Sequence, residues 1–107
     1  MLEILAALSA AVAIGAGAFG AHGAEGQAAD WLKTGGLYQL IHAVAVVALA
    51  KQAPGPSALL LGGAALFAAT LYLMAVGAPR WFGAITPIGG VLMIAGWLWL
   101  AMQFARR

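Results

Sequence analysis

Ala58-Leu59-Leu60-Leu61-Gly62-Gly63-Ala64-Ala65-Leu66-Phe67-Ala68-Ala69-Thr70-Leu71-Tyr72-Leu73-Met74-Ala75-Val76 contains no charged residue. A helix needs roughly 20 mainly apolar residues to cross the hydrocarbon core of a bilayer. Backbone N–H and C=O groups find no water there, so only helices and closed barrels can span it. The stretch lacks the apolar–polar alternation of a barrel strand, so it reads as a transmembrane helix.

The same reading extends outward. Ile85 to Phe104 is a second run of full spanning length. Ile4 to Phe19, extended to His22, and Leu37 to Ala50, with a lead-in from Ala28, reach that length when their polar flanks are helical as well. Between the runs lie Lys51-Gln52-Ala53-Pro54-Gly55-Pro56 and Gly77-Ala78-Pro79-Arg80, whose prolines interrupt helices. Thr86-Pro87 predicts an N-cap followed by proline in the first helical position, leaving Trp81 to Ile85 at the interface. The expected fold is all-α: an integral membrane four-helix antiparallel bundle with both termini on the same side. It forms one domain over residues 1–107, with spans near 2–22, 30–50, 57–76 and 85–105.

Composition supports a membrane setting. Hydrophobic residues make up 64% of the chain and charged residues 7%, against about 25% charged in soluble domains. No basic patch with interleaved aromatics is present, so no nucleic-acid partner is expected. The chain has no cysteine, which excludes disulfides, thiolate metal sites and a catalytic thiol. The first run lacks the basic start of a signal peptide and reads as a retained helix. Lys51, Arg106 and Arg107 fall at the end of the bundle that holds the termini, and Lys33 and Arg80 at the other. The positive-inside rule then predicts cytoplasmic termini, with Trp31 and Trp81 marking the outer interface and Trp97, Trp99 and Phe104 approaching the inner one.

Small residues recur every four positions in the first helix, as Ala7, Ala11 and Gly15, with further pairs Ala6–Ala10 and Ala13–Gly17; the third helix has Ala58–Gly62 and Ala65–Ala69. Such spacing lets helix backbones approach closely in lipid, so Ala7, Ala11, Gly15 and Gly17 are expected at helix contacts.

The chemistry-bearing residues converge on the outer end. His42 lies in an apolar run, with Tyr38, Gln39 and Trp31 on the same or an adjacent helical stripe. A polar group at that depth faces the bundle interior and finds a partner. His42, Tyr38 and Gln39, with His22 at the end of the first helix, form a candidate polar cluster that could relay protons or hold a polar ligand; alternatively His42 simply bonds a neighbouring helix. His42 lies about 16 Å below Trp31 at 1.5 Å per residue. That depth, and the lack of a carboxylate at ligand spacing, argue against His22 and His42 as metal or haem ligands, and no metal or cofactor is expected. Arg80 and Trp81, with Trp31, Thr86, Glu25 and Asp30, form a candidate outer-interface binding region, in which Arg80 pairs with Glu25 or Asp30 or contacts lipid phosphate. No nucleophile–base pair, phosphate loop or paired carboxylates occur, so no catalytic residue is named.

Three segments carry a family resemblance: Gly15-Ala16-Gly17-Ala18-Phe19-Gly20-Ala21-His22-Gly23, then Tyr38-Gln39-Leu40-Ile41-His42-Ala43, then Arg80-Trp81-Phe82-Gly83-Ala84-Ile85-Thr86-Pro87-Ile88-Gly89-Gly90. In order and spacing these resemble the domain of unknown function 423 family of small, uncharacterised bacterial inner-membrane proteins. The resemblance implies a multi-pass protein of the bacterial cell inner membrane and implies no reaction. Gly35-Gly36 departs from what the start of a second helix would favour. Minimal loops and small-residue faces point to a non-enzymatic protein that binds within the bilayer. It would be an accessory subunit of a membrane assembly or a self-associating bundle, with lipid, a second copy or another membrane protein as partner. One alternative is an oligomeric proton-coupled or small-solute transporter using His42, Tyr38 and Gln39. A weaker one is a lipid- or quinone-handling enzyme at the outer interface, using His22 and Arg80.

Overall fold

In the computed structural model, which describes residues 1–107, the chain forms α1 (Leu2–His22), α2 (Gly26–Leu49), α3 (Pro54–Ala75), a 3-10 helix (Arg80–Ala84) and α4 (Thr86–Ala105). Each long helix is long and apolar enough to cross a membrane. Only 26 of 107 residues are buried, and Ile14, Val91 and Leu98 are each more than 60% exposed; water would not tolerate such a surface, whereas acyl chains cover it without cost.

The helix boundaries follow from local chemistry. Pro54 opens α3, where its missing N–H is one that a helix start leaves unbonded anyway. Gly77 has φ +109° and turns the chain out of α3, a conformation that side chains with a Cβ resist. α2 begins at Gly26, after an extended Glu25, and runs unbroken through Gly35-Gly36. Those two glycines are not a break. Both are buried where neighbouring helices cross, so packing outweighs their low helix propensity. Thr86 is the first residue of α4 and Ile85 its cap, so Thr86 does not cap the helix as its sequence context suggested; its hydroxyl is engaged elsewhere.

α1 packs along α2, α2 along α3, and α3 along α4, each pair antiparallel; α1 also touches α3. Neither α1 nor α2 brings a Cα atom within 8 Å of one in α4. Glycines set the seams. A Cβ added to Gly36 would lie 2.9 Å from the Ala13 carbonyl oxygen of α1, and one on Gly20 would lie 3.0 Å from Leu32 Cβ of α2. Gly63 and Gly89 pack α3 against α4 almost backbone to backbone: a Cβ on Gly89 would meet the Gly63 oxygen and the Phe67 nitrogen at 2.6 Å. At the end holding Lys51, the buried residues Ala6, Val46, Ala50 and Leu60 form the main apolar cluster.

One packing expectation is corrected. Ala7, Ala11 and Gly15 are exposed, on the side of α1 away from the other helices. The face that α1 turns inward carries Ala6, Ala13 and Gly20, which are buried, with the Gly17 backbone near Gly36. α1 is lined with small residues on more than one side, so the four-residue spacing could not single out the stripe that packs.

Candidate functional site: a polar lattice across the helices

Three separate hydrogen-bonded groups tie the helices together. Gln39 of α2 is buried and spans two neighbours: its Nε2 donates to Ser9 Oγ of α1 at 2.9 Å, and its Oε1 accepts from Tyr72 OH of α3 at 2.5 Å. The amide donates at one end and accepts at the other, so one side chain joins α1 to α3 through α2. Tyr72 reaches Gln39 alongside Gly35, where an added Cβ would stand 2.8 Å from the Tyr72 ring. In α3, Thr70 Oγ1 donates to the Phe67 carbonyl at 2.9 Å and lies 2.7 Å from Thr86 Oγ1 of α4.

His42 is 5% exposed and is bonded across to α4. Its Nδ1 lies 2.6 Å from the Tyr38 carbonyl oxygen, and its Nε2 lies 3.0 Å from Trp97 Nε1 of α4. The indole N–H can only donate. Nε2 must therefore accept, and the ring proton sits on Nδ1, where it donates to the Tyr38 carbonyl. Both nitrogens are used, and the tautomer is set by the Trp97 bond. The indole stands edge-on to the imidazole, with ring centroids 5.7 Å apart. The Tyr38 ring stacks on the other side at 6.4 Å and leans on Phe67 of α3 at 5.0 Å.

The expected Tyr38–Gln39–His42 cluster is thus divided. Tyr38 and His42 face the α4 side of α2, whereas Gln39 faces α1 and α3. They are neighbours in sequence, but around the helix axis Gln39 lies about 100° from Tyr38 and about 60° from His42, enough to reach different helices. His22 is exposed at the end of α1, apart from all three. Ser9, Tyr72 and Trp97 complete the lattice; from the sequence Trp97 was expected only as an inner-interface aromatic, and Ser9 and Tyr72 were not singled out. The signal for two of them was present, because an indole N–H or phenol O–H within a membrane span needs a partner. Ser9 gave no signal, since a serine can also bond its own helix.

At the Arg80 end, Arg80 forms no pair with Glu25 or Asp30. Its Nη2 donates to Gln27 Oε1 at 2.7 Å, and its guanidinium lies over the Trp31 ring, 5.9 Å from the centroid. Glu25 and Asp30 are exposed, and the one ion pair in the protein joins the Met1 amino group to Glu3. Trp81 is exposed and packs edge-on against Phe82. At the opposite end, Gln103 Nε2 donates to the Gln52 carbonyl at 2.9 Å, fastening α4 to the α2–α3 turn.

Four apolar helices laced by internal hydrogen bonds define an integral membrane protein. Comparison with known proteins places it more narrowly: the chain belongs to the family described as "Protein of unknown function (DUF423)", whose profile matches residues 16–90. The chain is 41% identical to a UPF0382 membrane protein of Staphylococcus epidermidis, over 92% of this chain and 90% of the relative. It is 37% identical to the UPF0382 membrane protein YwdK of Bacillus subtilis, over 92% and 91%. A UPF0382 membrane protein of Haemophilus influenzae shares 39% identity, over 91% and 87%. No solved structure matches the chain.

Proposed function

We propose that the protein is a non-enzymatic component of the bacterial inner membrane that acts by association within the bilayer. It would be a self-associating bundle or an accessory subunit of a larger membrane assembly. The observation that carries this reading is the second small-residue face of α1. One face is filled by α2; the opposite one, with Ala7, Ala11 and Gly15, is open, and a Cβ on Gly15 would meet nothing within 4 Å. Helix association in lipid is driven by close packing, and small residues at this spacing let another backbone approach. A second α1, or a helix of a partner, fits that face.

The polar lattice supports binding over transport. Gln39, His42 and Thr70 are engaged by neighbours within the chain, and Ser57 Oγ is the one buried side-chain polar atom without a partner. A proton-carrying His42 would have to break its Trp97 bond in every cycle, because Trp97 occupies the nitrogen that a second proton would need. Four antiparallel spans would bring both termini to one side, and the Lys and Arg tally supports the cytoplasm as that side.

Energy transfer between fluorescently labelled chains in lipid vesicles tests the reading. Wild-type chains are expected to associate, and the double variant Ala11→Leu, Gly15→Leu to lose that association while keeping its thermal stability in detergent. A wild-type protein that is monomeric in vesicles and co-purifies with no stoichiometric membrane protein would remove the proposal.

A further inference from the structure

The seam between α2 and α4 differs from every other in the protein. No Cα of α2 comes within 8 Å of one in α4, yet two side-chain links bridge the gap: Trp97 to His42 at depth, and Arg80, just ahead of α4, to Gln27 at the end. Between these links the seam is walled by Tyr38 of α2 and floored by Phe67 of α3, with Tyr38 43% exposed and Phe67 half-buried. The seam therefore faces lipid along its length, with a cation at one end and an aromatic closure at the other.

We infer that this seam binds one anionic phospholipid, with its phosphate at Arg80 and an acyl chain lying along Tyr38 and Phe67 towards Trp97.

Charge complementarity argues for the headgroup. Arg80 is exposed and has no carboxylate partner. Gln27 and the Trp31 ring hold its guanidinium in place, but only one of its nitrogens has a partner in the protein. A guanidinium carries five N–H donors in a planar fork, so most of them remain for an anion. Gln27 uses its oxygen on Arg80, which leaves its amide NH2 as a further donor beside the same spot. A site offering donors and a positive charge suits a phosphate, and a headgroup with no ammonium avoids repulsion from Arg80.

Length argues for the chain. From Trp31, beneath Arg80, to His42, where Trp97 closes the seam, α2 descends 11 residues, or about 16 Å. That matches one leaflet of a hydrocarbon core about 30 Å thick. An acyl chain hung from a phosphate at Arg80 would end near the His42–Trp97 link. This site uses no atom of α1, so it stands independently of the self-association proposed above.

Protein released into native mass spectrometry from vesicles of equimolar dioleoyl phosphatidylglycerol and dioleoyl phosphatidylcholine tests the assignment. The wild type is expected to retain one phosphatidylglycerol per chain, several-fold over phosphatidylcholine. Arg80→Gln should bring the ratio to near unity, and Arg80→Lys should keep part of the preference. Unchanged melting of Arg80→Gln in detergent establishes that it folds; if it does not fold, Arg80→Lys carries the comparison. Equal retention of both lipids by the wild type overturns the proposal. So does a preference that survives Arg80→Gln, since the lipid is then held by other basic residues. Inorganic phosphate alone should leave the wild-type melting temperature unchanged; a rise abolished by Arg80→Gln would make free phosphate the ligand and overturn the lipid assignment. In a variant with Trp97 as sole tryptophan, the others replaced by phenylalanine so that Trp31→Phe keeps an aromatic ring under Arg80, phosphatidylglycerol brominated on its acyl chains should quench fluorescence more than brominated phosphatidylcholine. Equal quenching overturns the placement of the chain.

Discussion

The two seams that α4 borders hold by opposite means. Against α3, Gly63 and Gly89 bring the backbones into direct contact, with the Thr70–Thr86 bond as a lesser link in the same seam. Across from α2 the backbones stay apart, and the gap is spanned by the Trp97–His42 and Arg80–Gln27 links. The first seam depends on what is missing, since any Cβ collides with main chain that cannot rotate away. The second depends on two directional bonds that can open without moving a helix. In lipid, where hydrophobicity does not push helices together, close packing is the stronger device and a single hydrogen bond the weaker. The α3–α4 seam should therefore behave as a rigid unit, and the α2–α4 seam as the place where a ligand can enter.

The contrast predicts a ranking of effects. Gly89→Leu should be the most damaging single change, costing more than the roughly 1–3 kcal/mol usual for overpacking, because the clash is with backbone. Thermal unfolding in detergent or recovery of folded protein reads this out, and a Gly89→Leu variant as stable as wild type would dissolve the comparison. Next should come Gln39→Leu. It leaves Ser9 and the Tyr72 phenol without their shared partner, a loss of about 1–3 kcal/mol.

The His42–Trp97 link should matter less. A double-mutant cycle with His42→Leu and Trp97→Phe should give a coupling of about 0.6 kcal/mol, and no more than about 1.7, the span found for hydrogen bonds between membrane helices. His42→Gln can still accept from the indole and should recover part of that coupling. A coupling as large as the Gly89→Leu loss would show that the open seam is no weaker than the closed one. Smallest of all is Ala11→Leu, which should change the stability of the single chain by less than about 0.5 kcal/mol, since its side chain points away from the other helices.

Much of the fold was legible because lipid imposes a length. Four apolar runs of spanning size, the last three set apart by Pro54, Pro56, Gly77 and Pro79, could fold only as four helices. The packing faces were not legible, and the reason is the same solvent. In water, the apolar stripe of a helix marks the side that packs. In lipid both sides are apolar, so the four-residue spacing pointed to Ala7-Ala11-Gly15, whereas the structure packs α1 through Ala6, Ala13 and Gly20. His42 stood out because a lone imidazole in an apolar run must find a partner. Nothing local said that the partner would be Trp97, 55 residues away.

By itself, then, the sequence determined the solvent, the number of helices, their turns and the need of each mid-span polar group for a bond, since these follow from composition, length and desolvation. Tertiary structure decided which glycines touch, that Gln39 and His42 serve different seams, that Arg80 pairs with Gln27 and Trp31 instead of an acid, and which nitrogen of His42 carries the proton. Those outcomes depend on the rotation of each helix about its own axis. A uniformly apolar surface leaves that rotation free until neighbouring helices lock it.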